Sequence, residues 1–84
     1  MQSTIESPIP ALRDRIDEID RQIIALWQER AEVSGKVGKE RIATGGTRLS
    51  LAREQAIISK FQRELGPVGA RLALLILEAG RGAL

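Results

Sequence analysis

Arg30, Arg41 and Glu54 stand where the surrounding pattern calls for apolar residues. Leu12, Ile16, Ile19, Ile23, Leu26, Val33 and Val37 recur at three-, four- and seven-residue intervals, the seam of an amphipathic helix. Arg30 fills the seven-residue gap in that line, and Arg41 lies four beyond Val37. Glu54 fills the gap between Leu51 and Ile58 in a second seam. None of the three has an opposite charge three or four residues away. An unpaired charge on a buried face is costly, so each calls for a distant partner or a ligand. Two arrangements satisfy this. One is an inter-helix salt bridge, for instance Arg30 with Glu54. The other is a small dianion gripped between Arg30 and Arg41, which lie on one face ~16 Å apart along the axis. Arg13 lies ~25 Å from Arg30 along the same helix, beyond reach of that site within one chain. An antiparallel second copy would deliver it; alternatively it pairs on the surface with Asp17.

Composition narrows the chemistry. With neither Cys nor His, the chain is not expected to hold a common zinc site or a disulfide, or to work through a cysteine or histidine. No metal and no cofactor are expected. The chain carries a formal net charge of +2, and its Lys and Arg total 13. Arginine dominates that total, a bias toward planar, bidentate binding of carboxylate or phosphate. Trp27 and Phe61 are the only aromatic residues and both lie on apolar faces, so base stacking has little to work with and no nucleic-acid partner is expected. The apolar run Leu72 to Leu77 is far too short to cross a bilayer, so no membrane association is expected. No basic segment followed by an apolar run opens the chain, and the absence of Cys fits a reducing compartment; the expected location is cytoplasmic.

The elements that must position these charges are helices. The spacing predicts an all-α domain over residues 10–84, preceded by a flexible segment 1–9. Pro10 suits a first helical turn, and the first helix is predicted to run from Pro10 to about Ala43. Asp17–Arg21 and Glu32–Lys36, four apart, read as pairs on its solvated face. Gly35 and Gly38 thin it between the two seam arginines, for close packing or for room beside a ligand. Thr44-Gly45-Gly46-Thr47 reads as a helix stop and loop. Ser50 is a plausible N-cap for a second helix ending at Leu65, and Gly66-Pro67 opens a third, Val68 to about Ala79. That third segment is apolar nearly all round and is expected to be buried. A first helix of this length outruns a compact domain of 84 residues, so its seam is expected to meet a second copy.

Taken in order, Ala11-Leu12-Arg13, Ile16-Asp17-Glu18-Ile19-Asp20, Gln28-Glu29-Arg30-Ala31-Glu32-Val33, Gly38-Lys39-Glu40-Arg41 and Arg53-Glu54 resemble the all-helical AroQ-class chorismate mutases. Ala43-Thr44-Gly45-Gly46-Thr47-Arg48-Leu49 and Glu64-Leu65-Gly66-Pro67 resemble the short delta subclass, whose members partner DAHP synthase. The resemblance implies an intertwined homodimer, three helices per chain, that rearranges chorismate to prephenate on the route to phenylalanine and tyrosine. It implies that Arg13 of one chain and Arg30 of the other hold substrate carboxylates. Arg41 matches the cation at a carboxylate and the ether oxygen, Glu54 the acceptor for the ring hydroxyl, and Arg53 a neighbouring site arginine. A concerted [3,3] rearrangement needs a folded conformer and positive charge at the ether oxygen, which arginines in a dry pocket provide without nucleophile or metal.

Two positions depart from the more active members that this chain resembles. Ser50 stands where they place a carboxylate, and Leu84 lies near where they place a glutamine. Weakness alone and activation by DAHP synthase, the first enzyme of the pathway, are the implied behaviour. The tail Gly82-Ala83-Leu84 differs from the basic Leu-Gly-His-like end of that subclass. Two rivals remain open: isochorismate-pyruvate lyase on the same fold, and a non-catalytic helical dimer, regulatory or nucleic-acid-binding. In the nucleic-acid case Arg30 and Arg41 would face solvent and binding would fall steeply with salt. For chorismate they would be buried around a cavity.

Overall fold

Three helices make up the described residues, 7–47 and 50–81, of a computed structural model, with no strand among them. They are α1 (Ile9–Ala43), α2 (Leu51–Leu65) and α3 (Pro67–Arg81). Helix α1 begins one residue before the expected Pro10, because Pro8 already takes the cap position, with Pro10 in the first turn. Of the segment expected to be flexible, residues 1–6 lie outside the described residues, while Ile9 is helical and donates its N–H to Ser7 Oγ at 3.2 Å.

At 35 residues α1 is ~52 Å long. The radius of gyration is 19.1 Å, against ~12 Å for a compact domain of this length. The chain is an extended hook with dimensions of 75 × 24 × 16 Å. Helix α3 packs on both α1 and α2, whereas α1 and α2 do not approach each other. Everything the first two helices share is therefore set by the third.

The interior is small. Ile57, Ala73 and Leu77 are its buried apolar residues, with Ile58 and Phe61 packed beside them. Helix α1 contributes no buried residue. The expectation that α3 is buried all round is corrected: Gly69, Ala73, Leu77 and Gly80 form one buried line, while Val68, Leu74 and Leu75 are more than half exposed. A three-helix chain has only two neighbours to offer α3, and the opposite face is left bare.

Tight turns and close crossings fix the geometry. Gly66 ends α2 at φ 77°, a backbone conformation suited to glycine, and Pro67 starts α3 at once. This start is one residue before the expected Val68, and α3 continues two residues past the expected Ala79. At the far end Gly80 lies against α1; a Cβ there would stand 2.5 Å from Ser34 Oγ and 2.8 Å from Ser34 Cβ. Gly69 plays the same part against α2, where a Cβ would run into the Phe61 carbonyl. Thus α3 closes on α2 near its start and on α1 near its end.

Candidate active site

The closure at Gly80 creates a cavity of about 500 Å³ between the C-terminal part of α1, the first turns of α2 and the end of α3. Arg30, Val33, Val37 and Arg41 reach it from the α1 seam. Ser50, Arg53, Glu54 and Ile57 line it from α2, and Leu77 and Arg81 from α3. Five of the six residues singled out from the sequence therefore meet at one place: Arg30, Arg41, Ser50, Arg53 and Glu54. Arg13 does not; it lies on the exposed first half of α1 and has no ion pair among the described residues, neither with Asp17 nor with another acid.

Each cavity residue is held differently. Arg30 is half-buried, and its Nη1 is fully buried without a hydrogen-bond partner. A buried guanidinium nitrogen left open in this way is costly and marks a place for an acceptor. Arg41 is exposed, contrary to the expectation for a chorismate site, because no described residue forms a wall over its end of the cavity. Its Nε donates to the carbonyl of Thr47 at 2.7 Å, so the side chain is folded onto the α1–α2 loop. Ser50 caps α2, its hydroxyl accepting from the Arg53 N–H at 3.4 Å. That cap directs the first turn of α2, with Arg53 and Glu54, onto the cavity.

Glu54 has its distant partner, but the partner is not Arg30. Glu54 Oε2 accepts from Arg81 Nη1 of α3 at 3.4 Å. The proposed Arg30–Glu54 bridge is thereby replaced, because it is α3, not α1, that packs on α2. Arg81 is the cavity residue that sequence reasoning missed. The signal was present: Ala73, Leu77 and Arg81 are spaced by four on the buried line of α3, the same charge-in-a-seam pattern as Arg30. Ending the helix at Ala79 hid it.

Away from the cavity, Glu32 and Lys36 pair at 3.5 Å as expected, while Arg15 pairs with Glu18 at 2.9 Å and Asp17–Arg21 does not form. Gly35 faces open space and so is not explained by packing. Gly38 lines the cavity itself. Leu84, set against the missing glutamine, lies outside the described residues. No group of three or more Asp or Glu among the described residues could hold a metal, and no helix there is long and apolar enough to cross a membrane.

Among the described residues, four guanidinium groups and one carboxylate surround a cavity between three helices, an arrangement whose charge suits a small multiply charged anion. The sequence profile of the family described as chorismate mutase type II matches residues 12–73. The intracellular chorismate mutase of Mycobacterium tuberculosis is 50% identical over 80 residues, covering 92% of this chain and 75% of that protein. The intracellular chorismate mutase of Mycolicibacterium smegmatis is 49% identical over 86 residues, spanning 100% of this chain and 83% of that protein. Among solved structures, a chain of the non-covalent complex of DAHP synthase and chorismate mutase from Corynebacterium glutamicum, with a bound transition state analog, superposes with a TM-score of 0.86. That chain is 42% identical, and the match covers 90% of this chain and 92% of that one. The protein belongs to the chorismate mutase family of isomerases, in the short delta subclass of its AroQ class.

Proposed function

We propose that the cavity binds chorismate and that the protein converts it to prephenate as a homodimer whose turnover rises on binding DAHP synthase. The observation that carries the reading is Arg30 Nη1, buried and without a partner in a cavity with four arginines and one acid. A dicarboxylate supplies the missing acceptor. The reaction breaks a carbon–oxygen bond and forms a carbon–carbon bond within one molecule, with no proton transferred. The chain's task is to hold the two carboxylates so that the reacting carbons are folded together, and to set positive charge at the ether oxygen as it gains electron density. Arg30 and Arg53 suit the first role and Arg41 the second. Glu54 repels carboxylates and suits the substrate hydroxyl. Ser50, at the head of α2, adds a hydroxyl to the wall.

The homodimer is supported by the bare seam on the first half of α1, where Leu12, Ile16, Ile23 and Leu26 are all more than half exposed. A second copy laid antiparallel on that seam would carry its Arg13 to this cavity and close the open wall. The DAHP synthase partner is supported by the Corynebacterium glutamicum complex, in which a chorismate mutase chain of this fold is bound to that enzyme. Arg41 offers a route to activation. Its Nε is held on the Thr47 carbonyl, so the pose in which its Nη groups meet a ligand is tied to the α1–α2 loop. A partner that favours that pose by ~2.7 kcal/mol raises turnover about a hundredfold. The cytoplasm, where such a pathway enzyme would meet its partner, is the proposed location.

Incubation of the pure protein with chorismate, with product identification, tests the reading. Prephenate is expected, slowly for the free protein and faster with DAHP synthase. Release of pyruvate from isochorismate instead would assign the lyase. Full turnover without the partner, and no response to it, would overturn the activation.

A further inference from the structure

Arg81 lies at the last described position of α3, in the cavity and bonded to Glu54. We propose that Arg81 is a positioning residue: its ion pair locks the Glu54 carboxylate so that one oxygen stays directed at the substrate hydroxyl. This rests on the reading of the cavity as a chorismate site.

Three observations support it. Both partners are largely withdrawn from water, with side-chain exposures of 22% for Arg81 and 17% for Glu54, so the pair is little screened and is not a surface contact. The bond uses Oε2, and the carboxylate's other oxygen keeps its acceptor capacity for a ligand. The pair joins two elements, α2 and α3, and the approach of α3 that brings Arg81 into place depends on the missing Cβ of Gly80 against Ser34.

A lock would also serve the chemistry. A lone carboxylate at the rim of a cavity with several arginines has many cations to turn to. Swung onto Arg30 or Arg53, Glu54 would neutralise a group needed for a substrate carboxylate. Pairing with Arg81 at the α3 end keeps it away from them. The pair thus separates the cavity into a carboxylate-binding side and a hydroxyl-binding side. A single hydroxyl in a dianionic substrate then fixes which way round the substrate lies.

The test is a double-mutant cycle of Arg81→Gln and Glu54→Gln, with Arg81→Lys as the conservative variant, reading kcat and KM separately on chorismate. A contact made equally in bound substrate and transition state appears in KM. Arg81→Gln is expected to raise KM about tenfold, the worth of one hydrogen bond to a charged group, with kcat within about threefold. Arg81→Lys should recover most of the loss, and Arg81→Gln should change KM less than twofold when Glu54 is already Gln. An unchanged KM in Arg81→Gln, or the same loss in both backgrounds, would overturn the proposal while leaving the mutase reading intact. Failure of the wild-type protein to act on chorismate would overturn that reading instead. The 13C resonance of the Glu54 side-chain carboxyl then decides on the pair: displacement in Arg81→Gln with recovery in Arg81→Lys supports the lock, and an unmoved resonance in Arg81→Gln removes it.

Discussion

The two halves of α1 obey the same seam but meet different fates. From Ile9 to Glu29 every residue is exposed, and the large apolar side chains there present between 37% and 63% of their surface. From Arg30 to Ala43 the same face carries two arginines beside Val33 and Val37 and lines the cavity, and this half touches α3. In the first half apolar residues occupy the seam without interruption, and nothing among the described residues covers them. In the second half, Arg30 and Arg41 interrupt it, and glycines stand beside it. One periodicity thus encodes two surfaces: an apolar one suited to another copy of the helix, and a charged one suited to a ligand. The lesson is that a seam position states only that something must cover it. The residue type states what kind of partner that is.

The sharpest break in this comparison comes from charging the first half. Ile16→Asp with Ile23→Asp places carboxylates on side chains already more than half exposed in the single chain, so an isolated hook should tolerate them. If the seam is an interface, the wild-type assembly is lost at micromolar concentration, as sedimentation would show; an assembly of unchanged size would refute the comparison. On the other half, Arg41→Ala should lower kcat by ~10²–10³ with sedimentation unchanged, since a cation at a developing oxyanion is worth several kcal/mol. Arg41→Lys should retain part of that rate. Unaltered turnover in the alanine variant would take Arg41 out of the site.

Gly80→Ala probes the joint between α3 and the second half. The added methyl collides with Ser34, and overpacking of this kind costs ~1–3 kcal/mol. The melting temperature should fall by ~4–8 °C for each kcal/mol, and KM should rise as Arg81 moves off Glu54. Truncating the obstacle with Ser34→Gly should restore KM. The smallest effect is at Ser50. Ser50→Ala loses the α2 cap and about 1 kcal/mol of stability, read from denaturant midpoints. Ser50→Asp keeps the cap and is expected to raise the turnover of the free enzyme, by adding an acceptor to the cavity wall.

Much of this was legible in the sequence for a physical reason. Helical period is a local property, so the three helices, the Gly66-Pro67 turn and the seam positions of Arg30, Arg41 and Glu54 could be read directly. The pairing of Glu54 could not, since it depends on which helices touch: α3 intervenes, and the acid meets Arg81 instead of Arg30. Arg81 escaped because two nearby glycines look like a fraying end. In the structure Gly80 is buried, a contact point rather than a loosened one. The exposure of Arg41 was equally hidden, because a seam pattern does not reveal whether the covering surface lies in the same chain.

Among the described residues only Ile57, Ala73 and Leu77 are buried apolar side chains, with a consequence for how the protein comes to exist at all. A chain with so small an interior gains little by folding alone. In the proposed homodimer, collapse and encounter become one event, and the rate of acquiring structure acquires a second-order dependence on chain concentration. Newly made chains would wait for one another, and those at low abundance would be the most open to proteolysis. A homodimer of this kind would carry its own census: the folded fraction would measure how many copies are present, and the melting temperature would climb with each increment in concentration.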